Sequence, residues 1–557
     1  MRTLRLCPLV LLAGLALPGT AGAMVGHAGE YVVLYATGAT AAEGRQAVQA
    51  AGGTIVHENA AVGMATVHAD GAAFAERADR QPALVGAAAD QSIGRAPADR
   101  VKRDAVEQAA GEVRASEGSR GSGPEPLSAL QWNLRMIHAT PDGSYAVERG
   151  RKAVRVGIID TGVDGRHPDI APNFRADLSR NFTTDIPAID GPCEEEPDRS
   201  CEDANDVDED GHGTHVASTI GSPLNGVGIG GVAPNVSLVN LRAGQDSGFF
   251  FVGPTVDALT YAGNRGIDVV NMSFFVDPWL YNCPNNPADS PGEQFQQRLI
   301  IAAVQRAVDY ARAHGVTVVS ALGNENTDLG NPTVDATSPD YPEGSERERA
   351  IDNSCIDVPA ETDGVISVSA VGPSGRKAYY SDYGLEQNDV AAPGGDRRDF
   401  FGTPQYGAPE TRILAAYPKN VGLIEDRDDD GTPDIDPVTG DPTTPLVVRE
   451  GDAYYQWIQG TSMASPHAAA VAALIVARYG HRDRAHRGLT LAPDRVEQIL
   501  RGTATDTPCP EPRTFMYPDP DLGPEFTAVC EGTPERNGFF GDGIVDALAA
   551  VRAPGDD

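Results

Sequence analysis

From Val154 onward the chain alternates short apolar runs of strand length with helix-compatible segments, and this alternation constrains the fold more than any other feature. Val154 to Ile159 is a continuous buried-type run, which suits a strand covered on both sides. Strands are expected at 236–241, 269–272, 316–321 and 365–371. Helices are expected from His212, over 255–264, over 298–314 and over 462–478. Strands that take turns with helices build a parallel sheet with helices on both faces, so the fold class is α/β.

The segments before this region have a different character. Arg2 and Arg5 precede an apolar stretch, Leu9 to Leu17, that is too short to cross a bilayer, and Ala21-Gly22-Ala23 offers small residues for cleavage. Residues 1–23 therefore read as a signal peptide, and no later stretch is apolar and long enough for a membrane span. Residues 24–95 read as a small α+β unit, with strands at 31–35, 54–56 and 65–68 and helices at 41–51 and 72–78. Residues 96–130 have a linker composition. A catalytic domain is expected over 131–552, with polar surface insertions at 183–210 and 396–456. The net charge of −35 argues against a nucleic-acid face, which needs clustered basic residues. Outside the signal lie six cysteines, an even number that suits disulfides in an exported protein. Sequence proximity favours Cys193 with Cys201 and Cys509 with Cys530, which leaves Cys283 with Cys355.

Three motifs fall where an α/β sheet places chemistry. Asp160-Thr161-Gly162 ends the first strand of the alternating region, and strand carboxyl ends are where open α/β sheets bind ligands. Gly211-His212-Gly213-Thr214-His215 opens a helix. Gly460-Thr461-Ser462-Met463-Ala464 puts a serine in the first turn of an alanine-rich helix, where free N–H groups favour negative charge. A serine hydroxyl needs a base to become nucleophilic. Histidine can serve, and a carboxylate must hold its tautomer. His215 and His467 lie inside helices beside these residues and are read as structural.

On these motifs the chain resembles the subtilisin-like serine proteases (subtilases), with an inhibitor-like N-terminal propeptide over the α+β unit. The likeness runs from about Gln131 to Gly541-Asp542-Gly543-Ile544-Val545-Asp546-Ala547. It implies a subtilisin-like parallel sheet and a secreted endopeptidase that works through an acyl-enzyme and matures from an autoprocessed precursor. Asp160 would orient, His212 act as base and acid, and Ser462 attack. Asn324, in Ala321-Leu322-Gly323-Asn324, would donate to the oxyanion together with the Ser462 N–H. The propeptide would block the cleft until a cut between about Ile93 and Leu127. An extended peptide substrate would lie between Asp246-Ser247-Gly248 and Met272-Ser273-Phe274-Phe275, with Phe275 and Leu322 narrowing the primary pocket.

The spacing of Asp426, Asp428, Asp430 and Asp434 resembles a calcium loop, since alternate carboxylates can turn inward around a hard cation; Pro437 replaces the closing glutamate of an EF-hand. Asp206, Asp208 and Asp210 share the spacing but run into His212, so they are expected to line the cleft. A competing reading from another class is a catalytically inactive, calcium-stabilised binding protein on the same fold.

Overall fold

The computed structural model describes residues 29–70, 73–89, 106–107, 125–194, 199–342, 344–428 and 430–554. The signal peptide and most of the linker lie outside them. The N-terminal unit contains β1 (Glu30–Tyr35), α1 (Ala41–Ala50), β2 (Gly53–Asn59), β3 (Met64–Ala69), α2 (Ala73–Ala78) and β4 (Leu84–Ala89). Thr40 starts α1 through a capping box with Glu43. The strands form an antiparallel sheet in the order β2-β3-β1-β4. Strand β4, Leu-Val-Gly-Ala-Ala-Ala, was not expected. Its small residues give no strand signal, and tertiary pairing with β1 decides its conformation.

Side chains on β1 alternate between two cores, as strand geometry requires. Tyr31, Val33 and Tyr35 pack with Val48 and Phe74 inside the unit. Val32 and Leu34 face the other way and join the core built around Leu259, Val304 and Val308 of the following domain.

That domain begins with α3 (Trp132–Met136) and continues through β5 (Arg155–Ile159), β6 (Arg180–Asn181), α4 (His212–Gly221), β7 (Ser237–Arg242), α5 (Val252–Arg265), β8 (Val269–Met272), α6 (Pro291–Ala313) and β9 (Thr317–Ala321). A short hairpin, β10 (Val334–Asp335) with β11 (Arg349–Ala350), precedes β12 (Val365–Val371) and β13 (Val390–Pro393). Seven strands make one parallel sheet in the order β13-β12-β9-β8-β5-β7-β6. Helix α6 starts well before the expected Arg298, because Ser290 and Glu293 form a capping box and Pro291 occupies the first turn.

Next come β14 (Ile413–Ala416), α7 (Lys419–Gly422), β15 (Val447–Glu450), β16 (Ala453–Ile458) and α8 (Thr461–Tyr479). Helices α4 and α8 cover one face of the large sheet through Val216, Ile220, Val471 and Ile475. Helices α5 and α6 cover the other. Segment 396–456 is not wholly a surface insertion. Strands β14, β16 and β15 form an antiparallel sheet whose Leu414, Ala415, Tyr455 and Trp457 are buried. Asp and Pro dominate its composition, and that hid two short apolar runs. Segment 183–210 also contributes buried groups. Arg242 is fully buried and bonded to the carboxylates of Asp185, Asp203 and Asp246. The cysteines pair as Cys193–Cys201, Cys283–Cys355 and Cys509–Cys530, matching the expectation.

Candidate active site

Strand β5 ends directly at Asp160, so the carboxylate emerges at the carboxyl edge of the sheet, and it is fully buried. Helix α4 starts at His212 and packs tightly on the turn after β5. A Cβ on Gly213 would stand 2.0 Å from the Gly162 carbonyl oxygen, so only glycine allows this approach. Asp208 fixes the start of the helix: it accepts from the N–H groups of Gly211 (2.9 Å) and Thr214 (3.0 Å). Asp210 accepts from the His212 N–H (2.9 Å) and lines the cleft. Asp206 instead pairs with Arg166 at the surface. Of the three aspartates expected to line the cleft, only Asp210 does so. The backbone turns their neighbours into a helix cap and a surface pair.

His212 Nδ1 lies 2.7 Å from Asp160 Oδ1, which also accepts the Thr161 N–H at 2.8 Å. Burial raises the Asp160 pKa, against the pull of His212 and the Thr161 N–H. Burial disfavours the imidazolium, but the carboxylates of Asp160 and Glu107 outweigh it and raise the His212 pKa well above its ordinary value.

Ser462 is the second residue of α8 and is 5% exposed. Its hydroxyl donates to the Ser273 carbonyl (3.2 Å), and Ser273 Oγ donates back to the Ser462 carbonyl (3.1 Å). Across the cleft, Asn324 Oδ1 accepts from both the N–H and the hydroxyl of Thr461, each at 2.9 Å. This leaves Nδ2 directed into the cavity. There it meets Glu107 Oε1 at 3.5 Å, while Glu107 Oε2 sits 3.3 Å from His212 Nε2. Gln459 Nε2 donates to the Val106 carbonyl at 3.0 Å. Gly460, at φ +152°, makes room for this visitor, because a Cβ there would lie 2.8 Å from Glu107 Oε1. The polar linker thus places a carboxylate between the His212 imidazole and the Asn324 amide. Composition gave no sign of this residue, and an acid in an acidic chain carries no local signal.

Asp160, His212, Ser462 and Asn324 are therefore assembled around one cavity, Asp160 from behind His212 and the other three on its lining. Of the expected substrate residues, Gly248, Ser273, Phe274 and Phe275 line the same cavity; Asp246, Ser247, Met272 and Leu322 do not. Asp246 is held by Arg242, and burial raises its pKa well above the ordinary value. Ser247 donates to Asp190 (2.7 Å). Met272 lies in the core under α5 and α6. Leu322 is buried with Leu280, Cys283 and Cys355, and Phe275 packs against that cluster. Phe274 stacks on Phe250, ring centroids 3.9 Å apart.

His215 Nε2 contacts the carbonyls of Ile413 (3.1 Å) and Gln456 (3.2 Å), and burial lowers its pKa to about 3. His467 joins Met463 O and Asn133, and burial lowers its pKa to about 4. Both stay neutral and structural. In the acidic loop, the carboxylates of Asp426, Asp428 and Asp430 converge to within 4.8 Å of one another. Asp434 does not join them: it accepts from Tyr417 Oη (2.9 Å) and pairs with Arg427, whose guanidinium reaches the Asp210 carbonyl (3.2 Å).

Residues 151–525 match the model of the Subtilase family, and the chain belongs to that family of serine peptidases. It is 28% identical over 353 residues to subtilisin DY of Bacillus licheniformis, a match covering 63% of this chain and 84% of that protein. It is 27% identical over 352 residues to the nisin leader peptide-processing serine protease of Lactococcus lactis subsp. lactis, covering 63% of this chain and 44% of that longer protein. Among solved structures, the epidermin leader peptide processing serine protease of Staphylococcus aureus superposes over 95% of this chain and 99% of its own, with a TM-score of 0.61 at 20% identity.

Proposed function

We propose that the chain is the precursor of an exported serine endopeptidase that uses Asp160, His212 and Ser462, with Asn324 and the Ser462 N–H as oxyanion donors. One observation carries this reading. The amide of Asn324 and the imidazole of His212 converge on a single foreign carboxylate beside the Ser462 turn, as they would on a reacting carbonyl group. With Glu107 withdrawn, a χ1 rotation takes the Ser462 hydroxyl from Ser273 to His212. Nε2 accepts the Oγ proton as Oγ bonds to the scissile carbonyl carbon, and the carbonyl oxygen gains the charge that the amides stabilise. Collapse breaks the C–N bond, and His212 passes its proton to the leaving nitrogen. Water then enters by the same steps in reverse and frees the serine. Asp160 keeps the proton on Nδ1 and stabilises the imidazolium.

Residues 24–95 act as the propeptide, and the bond cut during maturation lies in the linker that carries Glu107. Paired cysteines, and the lack of a membrane-length apolar helix among the described residues, support export. The likeness to two leader-peptide proteases favours a processing role on a narrow set of peptides over bulk degradation. One calcium ion is assigned to Asp426, Asp428 and Asp430, whose converging carboxylates are acceptor-only hard ligands; it would serve as a structural tie.

The test is Ser462→Ala. The variant precursor should accumulate uncut, and the purified protein should leave casein intact. A variant that matures and digests casein like wild type would remove Ser462 as the nucleophile, and a wild type that neither matures nor cleaves would favour the inactive binding-protein reading.

A further inference from the structure

Asn324 sits in the turn that leaves the carboxyl end of β9, and residues 380–383 run beside that turn. Backbone bonds lace the two segments together. The Asn326 N–H donates to the Tyr380 carbonyl (2.6 Å), the Asp382 N–H to the Gly323 carbonyl (3.0 Å) and the Tyr383 N–H to the Thr327 carbonyl (3.0 Å). The Asp382 side chain adds to the lacing. Its Oδ1 accepts from the N–H groups of Glu325 (3.0 Å) and Thr327 (2.6 Å).

The other oxygen of Asp382, Oδ2, is buried and accepts no hydrogen bond among the described residues. It meets Glu325 instead. A Cβ on Gly323 would stand 2.3 Å from Asp382 Oδ2 and 3.2 Å from Glu325 Oε2, and the two carboxyl groups are hydrogen-bonded to each other. Carboxyl groups bond in this way only when one of them holds a proton. Asp382 is the fully buried member; burial, with the Glu325 charge beside it, pushes its pKa well above the ordinary range. The proton therefore sits on Asp382 Oδ2 and is donated to Glu325. Glu325 Oε2 in turn accepts the Asn324 N–H (2.9 Å). One proton thus joins a buried acid to the backbone of Asn324, while Thr461 holds its side chain from the far side.

The groups around this pair favour keeping the proton. Asp357 beside Asp382, and Asp335 beside Glu325, add negative charge. Tyr281 and Tyr383 also face Asp382, and both phenols are neutral, their pKa values raised chiefly by burial. Lys377 faces Asp382 too, but burial lowers its pKa to about 7. Its hydrogen bonds go to Asn326 Oδ1 (2.6 Å), the Ala378 carbonyl (3.2 Å) and Tyr517 Oη (3.4 Å).

We propose that Asp382 is a positioning residue for the oxyanion donor: sharing one proton with Glu325, it fixes the 323–327 turn in the shape that directs the Asn324 amide into the cleft. Loss of that proton would set two carboxylates against each other beside Asn324 and loosen the turn. The proposal rests on the peptidase reading above and concerns how its oxyanion donor is held.

The experiment uses the mature enzyme and one chromogenic peptide that wild type cleaves, with kcat and KM measured across neutral and alkaline pH. Asp382→Ala should lower kcat about tenfold or more, part of the loss expected from removing the Asn324 amide itself, with KM nearly unchanged. Asp382→Asn should recover most of that kcat, because its Oδ1 can accept the same two N–H groups and its Nδ2 can donate to Glu325. Wild-type kcat should fall on the alkaline side as the shared proton leaves, while Asp382→Asn, which has no such proton to lose, should hold its kcat to higher pH. A residue needed only for folding would neither separate kcat from KM nor move the alkaline limb. The proposal is overturned if Asp382→Ala keeps wild-type kcat or changes KM alone, if Asp382→Asn is as slow as Asp382→Ala, or if the alkaline limbs of wild type and Asp382→Asn coincide. Should Asp382→Ala fail to fold, the kcat of Asp382→Asn and the position of its alkaline limb decide. Failure of the peptidase reading looks different: wild type cleaves no peptide at any pH, and Ser462→Ala changes nothing.

Discussion

Replacing Glu107 by glutamine preserves the shape of the side chain that fills the catalytic cleft and removes its charge. The Glu107–His212 contact is 3.3 Å long, and the two side chains are 8% and 15% exposed, so solvent screens the pair only weakly. A hydrogen bond to a charged group is worth about 1.5–3 kcal/mol. The length of this contact and the marginal 3.5 Å approach to Asn324 place it in the lower half of that range. About 1.5–2 kcal/mol corresponds to roughly 10–30-fold in the closed-to-open ratio. Fluorophosphonate labelling of Ser462 in freshly purified precursor reads the open fraction, and the variant should label faster by that factor near neutral pH. The pH dependence has a definite sign. The His212 pKa is raised while Glu107 is in place, so the imidazolium that the pair needs is present below that raised value and is lost as pH rises through it. The advantage of glutamate over glutamine should therefore shrink on the alkaline side. Equal labelling at every pH would refute the idea that this carboxylate holds the cleft shut.

Three other outcomes are expected. Asn324→Ala in the mature enzyme should lower kcat by about 10²–10³, the figure measured for the matching asparagine of a subtilisin, a member of this same family, with KM nearly unchanged; a KM effect alone would remove Asn324 from the oxyanion site. Chelation with EDTA should lower the unfolding temperature of wild type, while Asp426→Asn with Asp428→Asn should melt alike with and without chelator; an unshifted wild type rules out the calcium tie. Replacing Cys283 and Cys355 by serine opens a link across 72 positions, which loop-closure entropy values at about 4 kcal/mol, readable by urea denaturation; a loss under 1 kcal/mol would show that the loop is held by packing instead.

The large sheet and the meeting place of the proposed catalytic groups were legible for a shared reason. Buried parallel strands such as β5, β8 and β12 are rich in Val, Ile and other apolar residues, and motifs at their carboxyl ends mark where chemistry can emerge. Strand β13, Val-Ala-Ala-Pro, was not legible, because four small residues are fixed by pairing with β12 and not by propensity. Glu107 was illegible because its importance lies wholly in what it meets more than one hundred positions away. Asp434 departed from expectation for a different reason. Asp434 fitted a spacing, but the buried Arg427 guanidinium claimed its carboxylate; Asp246 was expected only as part of a backbone segment, and its carboxylate is held by Arg242. Sequence spacing reports which acids could converge, and the folded electrostatics decides which do.

The two-sided packing of β1 bears on how the proposed activation would end. Val32 and Leu34 reach the α5–α6 core; Asn59 Nδ2 donates to Asp257 (2.7 Å) and Thr260 (2.7 Å), and Arg306 donates to the Tyr35 carbonyl (2.9 Å). None of these contacts passes through the linker. On the proposed reading, severing the linker would leave the N-terminal sheet still clasped to the α5–α6 face, and scission and departure would be separate events with separate clocks. The slower of the two, destruction or dissociation of a folded passenger, would then set the moment at which a finished enzyme is let loose.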